Sequence, residues 1–313
     1  MRILFMGTPD FAIPSLETLV EEGHEVIGVV TQPDRPRGRG KQMAPSPIKK
    51  WAVEKGFSIF QPQKARDESF IDEIESLSPD LIVTAAYGQI LPKRILDIPP
   101  LGCINVHASL LPKYRGASPI QQAIMDGEKE TGITIMYMDI GMDTGDIILQ
   151  KAIPIHPDEN GESLHDRLAE LSKETLGESL KLFKKGKPKG VPQEHDMATY
   201  CKKIDKSMGK IDWNGNSQQI KNHVRGLTPW PGAFTIVVGL RLKVWEVELW
   251  GDLKKKDVPS TGQVVYADEE HGLIVTSLDG LIRLSKIQAP GKRAMEDKEF
   301  LRGNSVEVHS IFE

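Results

Sequence analysis

Cysteine is scarce in this chain, and what is missing narrows the chemistry open to it. Cys103 and Cys201 are far apart and form no C-x-x-C pair, so neither a zinc site nor a disulfide framework is expected, and a reducing compartment is. No apolar run is long enough to span a membrane, and Met1-Arg2 leads directly into the apolar run Ile3 to Met6 without a charged leader or cleavage site. A cytoplasmic protein with no membrane partner is therefore expected. Cationic excess is missing too: the formal charge is -4, which excludes a globally basic nucleic-acid binder but not local basic patches. There is no phosphate loop, metal cage or serine elbow, so no metal cofactor is expected, and nothing signals assembly beyond a monomer.

What is present is an ordinary globular composition, 39% hydrophobic and 27% charged over 313 residues, enough for a sizeable core and for two domains. The first half alternates strand and helix signals. Ile3 to Met6, Val26 to Val30, Leu81 to Thr84 and Cys103 to Val106 are short apolar runs of the kind buried on both faces. Ile13 to Glu22 and Glu68 to Ser76 carry helical periodicity between them, Ile133 to Met138 reads as a further strand, and Ser163 to Phe183 as a long helix. This pattern predicts an α/β fold with a Rossmann-like, doubly wound and mostly parallel sheet.

From Lys181 to Lys210 lysines dominate the charge, with Gly186, Pro188, Gly190 and Pro192 interleaved. Beyond this stretch the hydrophobic period becomes two, over Leu240 to Val244, Gly262 to Ala267, Leu273 to Ser277 and Leu281 to Ile287, with Asp279-Gly280 as a hairpin turn and one helix at about Ser217 to Gly226. The expected organisation is a catalytic domain over 1–189, a basic linker over 190–206, and a small antiparallel β-barrel of the oligonucleotide-binding type over 207–313.

Asn105 and His107 alternate on one strand and so project side by side from its carboxyl end, where ligands of doubly wound sheets gather. The Gly-flanked Asp143 in Gly141-Met142-Asp143-Thr144-Gly145-Asp146 can supply a carboxylate over them, with Asp146 read as a solvated turn residue. An amide and an imidazole without a Ser or Cys nucleophile fit direct acyl transfer, in which the substrate's amine attacks and the protein stabilises the oxyanion. Asn105 would donate through its amide. His107, hydrogen-bonded to Asp143, would stabilise the oxyanion and help carry the amine's proton.

These residues resemble the folate-dependent formyltransferases. The similarity rests on Ile3 to Ala12, on Ile104-Asn105-Val106-His107-Ala108-Ser109-Leu110-Leu111-Pro112, on Tyr114-Arg115-Gly116-Ala117-Ser118-Pro119-Ile120, and on the Gly141 to Asp146 loop, and it continues towards the C-terminus. It implies 10-formyltetrahydrofolate as co-substrate, donating a formyl group to the α-amine of methionine esterified to initiator tRNA. By resemblance Asn105, His107 and Asp143 fall on catalytic positions, and Ser109, Leu110, Leu111 and Pro112 on a folate-contacting segment. Tyr87, Gly88, Gln89 and Ile90, continuing to Pro92, would wall the pterin pocket. Ala108 replaces a common Gly without consequence. Gly7-Thr8-Pro9 lacks the G-x-G-x-x-G spacing, so no dinucleotide is implied.

The acceptor is open from chemistry alone, because related enzymes formylate a ribonucleotide amine or an amino sugar, or pass the group to water. Asp34 to Gln42, with Arg35, Arg37, Arg39 and Lys41 among glycines, can follow phosphates closely. It resembles the insertion that grips an acceptor arm, with Arg39 on the key position. Together with the basic linker and Lys206 as a backbone contact of the barrel domain, this favours tRNA as partner over a sugar nucleotide, while a non-catalytic RNA-binding role is the alternative that replacing Asn105 or His107 would separate. Met6, Met43, Met136, Met138 and Met142 could line a methionine pocket, although core packing is the expected role for most.

Overall fold

Ile3, Leu4, Phe5 and Met6 have no accessible surface, each adding about 1.5–3 kcal/mol over its exposed state. They form β1 (Arg2–Gly7), an interior strand of the larger sheet in a computed structural model that describes residues 1–37, 42–237, 239–252 and 260–313. Following it are α1 (Ile13–Glu21), β2 (Glu25–Val30), β3 (Arg35–Arg37), β4 (Gln42–Ala44), α2 (Pro47–Glu54), β5 (Ile59–Phe60), α3 (Glu68–Leu77), β6 (Leu81–Ala85), α4 (Lys93–Asp97), β7 (Cys103–His107), β8 (Arg115–Gly116), α5 (Pro119–Met125), β9 (Glu130–Tyr137), β10 (Ile147–Pro154), α6 (Gly161–Phe183) and β11 (Tyr200–Cys201). The strand order is β10-β9-β7-β6-β1-β2-β5. The five strands β5, β2, β1, β6 and β7 run parallel, and β9 and β10 are antiparallel additions. This is the expected Rossmann-like sheet. Its strand order reverses beside β1, which opens a crevice at the carboxyl ends of β1, β6 and β7.

The chain divides into two compact units: 1–119 with 130–154 and 165–201, and 120–129 with 155–164 and 202–313. The stretch expected as a linker, 190–206, is thus shared between them. Residues 190–201 belong to the first unit because β11 pairs in parallel with β8 and Val191 bridges Ile147, anchors hidden by the surrounding lysines.

The second unit contains α7 (Ser217–Gly226), β12 (Ala233–Val237), β13 (Leu240–Asp252), β14 (Val264–Asp268), β15 (Gly272–Thr276), β16 (Gly280–Gln288), β17 (Met295–Glu296) and α8 (Asp297–Leu301). Asn216 caps α7 with a reciprocal capping box. The antiparallel path is β12-β13-β16-β15-β14, with β17 on β16. Its two edges meet the same closing segment: Glu313 exchanges backbone bonds with Ile236 on β12 at 3.1 and 2.9 Å, while His309 and Ser310 bond Val264 on β14, both at 2.9 Å. The sheet therefore closes as the small barrel expected from the period-two pattern. Its core gathers Trp213, Leu242, Val244, Leu273, Ile282 and Phe312. Among the described residues no helix is long and apolar enough to cross a membrane.

Candidate active site

β7 lies between β6 and β9, so Asn105 and His107 are held by neighbours on both sides. Thr84, opposite Asn105 on β6, donates its hydroxyl to Asn105 Oδ1 at 2.8 Å. With its oxygen committed, the half-buried amide turns Nδ2, its donor end, free for another partner. His107 is buried, with Nε2 2.9 Å from the carbonyl of Tyr114. A proton on Nε2 makes that hydrogen bond, which leaves the neutral ring a lone pair on Nδ1.

Asp143 does reach His107, although β9 runs antiparallel to β7 and delivers the chain beside Cys103, where Met138 N–H bonds the Cys103 carbonyl at 2.8 Å. The loop that follows folds back over the sheet. Asp139 Oδ1 starts the fold by accepting from Gly141 N and the Thr144 hydroxyl at 3.0 and 2.6 Å, and Asp143 sits in the left-handed region at φ 53°. Asp143 Oδ2 stands 3.8 Å from His107 Nδ1. That is too long for the hydrogen bond expected from sequence, and the same oxygen accepts from Gly116 N at 2.8 Å. Asp146 is exposed, in keeping with a turn residue.

Gly116 is required for this contact. At φ 113°, with an added Cβ only 2.4 Å from the carbonyl oxygen of Cys201, no other residue lets the backbone approach Asp143 and β11 together. The Tyr114 carbonyl, Gly116 N–H, Thr84 and Gln193 complete the site and were missed from sequence. The first two are backbone groups with no signature. Gln193, 5% exposed, donates Nε2 to the carbonyls of Asp143 and Gly145 at 2.9 and 2.7 Å from a stretch whose composition reads as linker.

The residues assigned to folate divide into two sets. Ser109 is buried with its hydroxyl on Lys113 O at 2.7 Å, and Leu111 is buried with its N–H on Thr134 Oγ1 at 3.2 Å, so both are framework. Leu110 and Pro112 are half-buried and accessible. Gln89 accepts from Ala65 N at 2.7 Å, Gly88 is exposed, and Ile90 is 80% exposed. The Tyr87 carbonyl accepts from Thr8 and Gln32 across the crevice at 2.9 and 3.2 Å. Its hydroxyl is buried without a partner among the described residues, and burial pushes its pKa up to about 12, so it stays a neutral donor. The Tyr87 side chain packs in the core with Phe70, Ile71 and Ile95 and so is framework as well, and the accessible members of the two segments are Gly88, Ile90, Leu110 and Pro112.

Of the basic residues, Arg39 and Lys41 lie outside the described residues. Arg35 and Arg37 are on β3, which pairs antiparallel with β4, and Arg35 donates to Gln32 Oε1 at 3.0 Å. Lys49 and Gln61 anchor Asp34 at the base of this hairpin and hold its carboxyl below the usual range. Lys206, in the second unit, is exposed. Met6 and Met136 are core residues, Met138 is partly buried and packs on the core, and Met43 and Met142 are exposed.

Residues 1–180 match the family model described as formyl transferase, and 203–305 match that of the formyl transferase C-terminal domain. The chain belongs to the formyl transferase family. Within this family it is 45% identical to methionyl-tRNA formyltransferase of Clostridioides difficile (strain 630) over 98% of both chains. It is 48% identical to methionyl-tRNA formyltransferase of Acetivibrio thermocellus over 98% of this chain and 97% of that one. Among solved structures, WlaRD, a sugar 3N-formyl transferase in the presence of dTDP and 5-N-formyl-THF, superposes with a TM-score of 0.68 at 20% identity, covering 94% of this chain and 99% of that one. HypX from Aquifex aeolicus in complex with tetrahydrofolic acid superposes with a TM-score of 0.60 at 18% identity; the formyl transferase chain is covered fully and spans 51% of HypX. These two likenesses concern the fold.

Proposed function

We propose that this enzyme transfers the formyl group of 10-formyltetrahydrofolate to the α-amine of methionine on initiator tRNA, in the cytoplasm and as a monomer. The observation carrying this reading is that methionyl-tRNA formyltransferases match nearly the whole chain at 45–48% identity, barrel unit included. Accessible Leu110, Pro112, Gly88 and Ile90 hold the folate, on a framework of Tyr87, Ser109, Leu111 and Gln89. When bound, the folate supplies an activated formyl carbonyl.

The rest belongs to this chain's own residues. Asn105 Nδ2, its orientation set by Thr84, donates to the oxyanion that develops as the amine adds. His107 Nδ1 carries the lone pair, so the amine's proton is taken there, Asp143 Oδ2 at 3.8 Å stabilises the imidazolium that results, and the proton passes to N10 of the departing tetrahydrofolate as its bond to the formyl carbon breaks. Residues 1–189 carry the groups that meet the substrate. Arg35, Arg37, Arg39, Lys41 and Lys206 hold tRNA phosphates, and the 207–313 barrel supplies further RNA contacts.

The test is formyl transfer from 10-formyltetrahydrofolate to aminoacylated initiator tRNA, run beside a sugar-nucleotide amine. Transfer to the tRNA alone is expected, and Asn105→Ala should lower turnover about a hundredfold or more while tRNA binding survives. Transfer only to the sugar nucleotide would overturn the reading.

A further inference from the structure

Arg115 is 2% exposed, yet among the described residues every acceptor its guanidinium reaches is neutral. Nε and Nη2 donate to Gln193 Oε1 at 3.1 and 2.6 Å, Nη1 to the Tyr200 hydroxyl at 3.3 Å, and Nη2 to His195 Nδ1 at 3.1 Å. A buried cation without a counter-charge is costly and calls for a purpose beyond packing. Gln193 shows where the charge is directed. Its oxygen takes two charge-assisted bonds from Arg115, and its nitrogen hands two bonds on to the carbonyls of Asp143 and Gly145. A guanidinium on the amide oxygen polarises the group and strengthens its N–H donors.

We infer that Arg115 and Gln193 are a positioning pair for Asp143, a relay that fixes the carboxylate relative to His107. The inference rests on the proposed role of Asp143. Three consecutive residues set the geometry: Tyr114 O receives His107 Nε2, Arg115 holds the Asp143 backbone through Gln193, and Gly116 N–H holds the Asp143 carboxylate. The left-handed turn at Asp143 is uncommon for a residue with a side chain, so the loop needs such a clamp to keep it. Segment 190–201 is in this view part of the catalytic apparatus.

Gln193→Glu separates this role from a purely structural one. The new carboxylate still accepts from Arg115, and supplies its missing counter-charge, but has no N–H for Asp143 O and Gly145 O. The melting temperature is expected to stay above that of Gln193→Ala, because the bonds from Arg115 are kept while those to the two carbonyls are lost. KM for 10-formyltetrahydrofolate should stay within about twofold, while turnover with methionyl-tRNA falls about tenfold or more. Gln193→Ala should be both slow and less stable. As a readout independent of turnover, the Gly116 amide proton in a 15N-glycine-labelled sample should shift in Gln193→Glu in the same direction as in Asp143→Asn. Parental turnover in Gln193→Glu, or an unmoved Gly116 amide, overturns the relay. If the parent formylates no aminoacylated tRNA, the functional reading fails instead, and the Gly116 amide still decides the geometry.

Discussion

Thr84 and Asn105 face one another across β6 and β7, and a single hydroxyl holds the amide oxygen, leaving its donor end for the substrate in the proposed mechanism. In Thr84→Val the side chain keeps its shape but Oδ1 loses its donor, so the amide is free to turn its acceptor end towards the developing negative charge. Turnover should drop about tenfold, a little over 1 kcal/mol of transition-state stabilisation. KM for folate and the melting temperature should change little. An unaltered turnover would mean that Asn105 is held by something other than Thr84. At this scale the sequence is legible where side chains carry the signal: alternation placed Asn105 and His107 together, and flanking glycines marked Asp143. It is silent on the Tyr114 carbonyl and the Gly116 N–H, since every residue offers a carbonyl and almost every one an N–H. Only the fold shows which of them point into the site.

Elements were readable in proportion to how one-sided their surroundings are. β1, β6 and β7 are buried on both faces and appear as unbroken apolar runs, whereas the edge strand β10, alternately half-buried and exposed, left too weak a pattern to be recognised. α2 escaped because it is short and rich in lysine. Its true signal was the start, where Ser46 accepts from Lys49 N at 3.0 Å with Pro47 in the first turn. In the barrel unit one buried carboxylate joins several elements. Asp297, fully buried at the start of α8, takes a bidentate pair from Arg283 on β16 at 2.8 Å and the N–H of Leu273 on β15 at 2.9 Å. Asp297→Ala would leave the guanidinium and that N–H without their shared partner, a loss of about 3–5 kcal/mol. Trp213, Trp230, Trp245 and Trp250 all lie in this unit and only Trp51 in the other, so urea unfolding followed by tryptophan emission reads it directly. A loss below about 1 kcal/mol would show that the pair is worth no more than an exposed ion pair.

Across the whole molecule, charge is distributed so that much of the cationic surface is cancelled locally. Lys151 is matched by Glu174 and Glu178, Lys173 by Glu17, and Arg94 by Glu68, Asp72 and Glu75. Lys202, Lys203, Lys206 and Lys210 have no carboxylate within ion-pair range among the described residues, and they occupy one short stretch of a chain whose formal charge is -4. Such a confined cationic track attracts a polyanion without making the rest of the surface adhesive. Affinity for tRNA should accordingly fall steeply with salt. If Lys206 neutralises one phosphate, Lys206→Ala should reduce the slope of log affinity against log salt by about one, because one fewer counterion is released on binding. Phosphate contacts carry no sequence information, so initiator and elongator methionyl-tRNA should lose affinity equally, and turnover at saturating initiator tRNA should be unchanged. Binding measured from 50 to 200 mM salt with both tRNAs makes the test. A Lys206→Ala variant that bound with the parental slope but turned over slowly would move this residue from the RNA track to the chemistry.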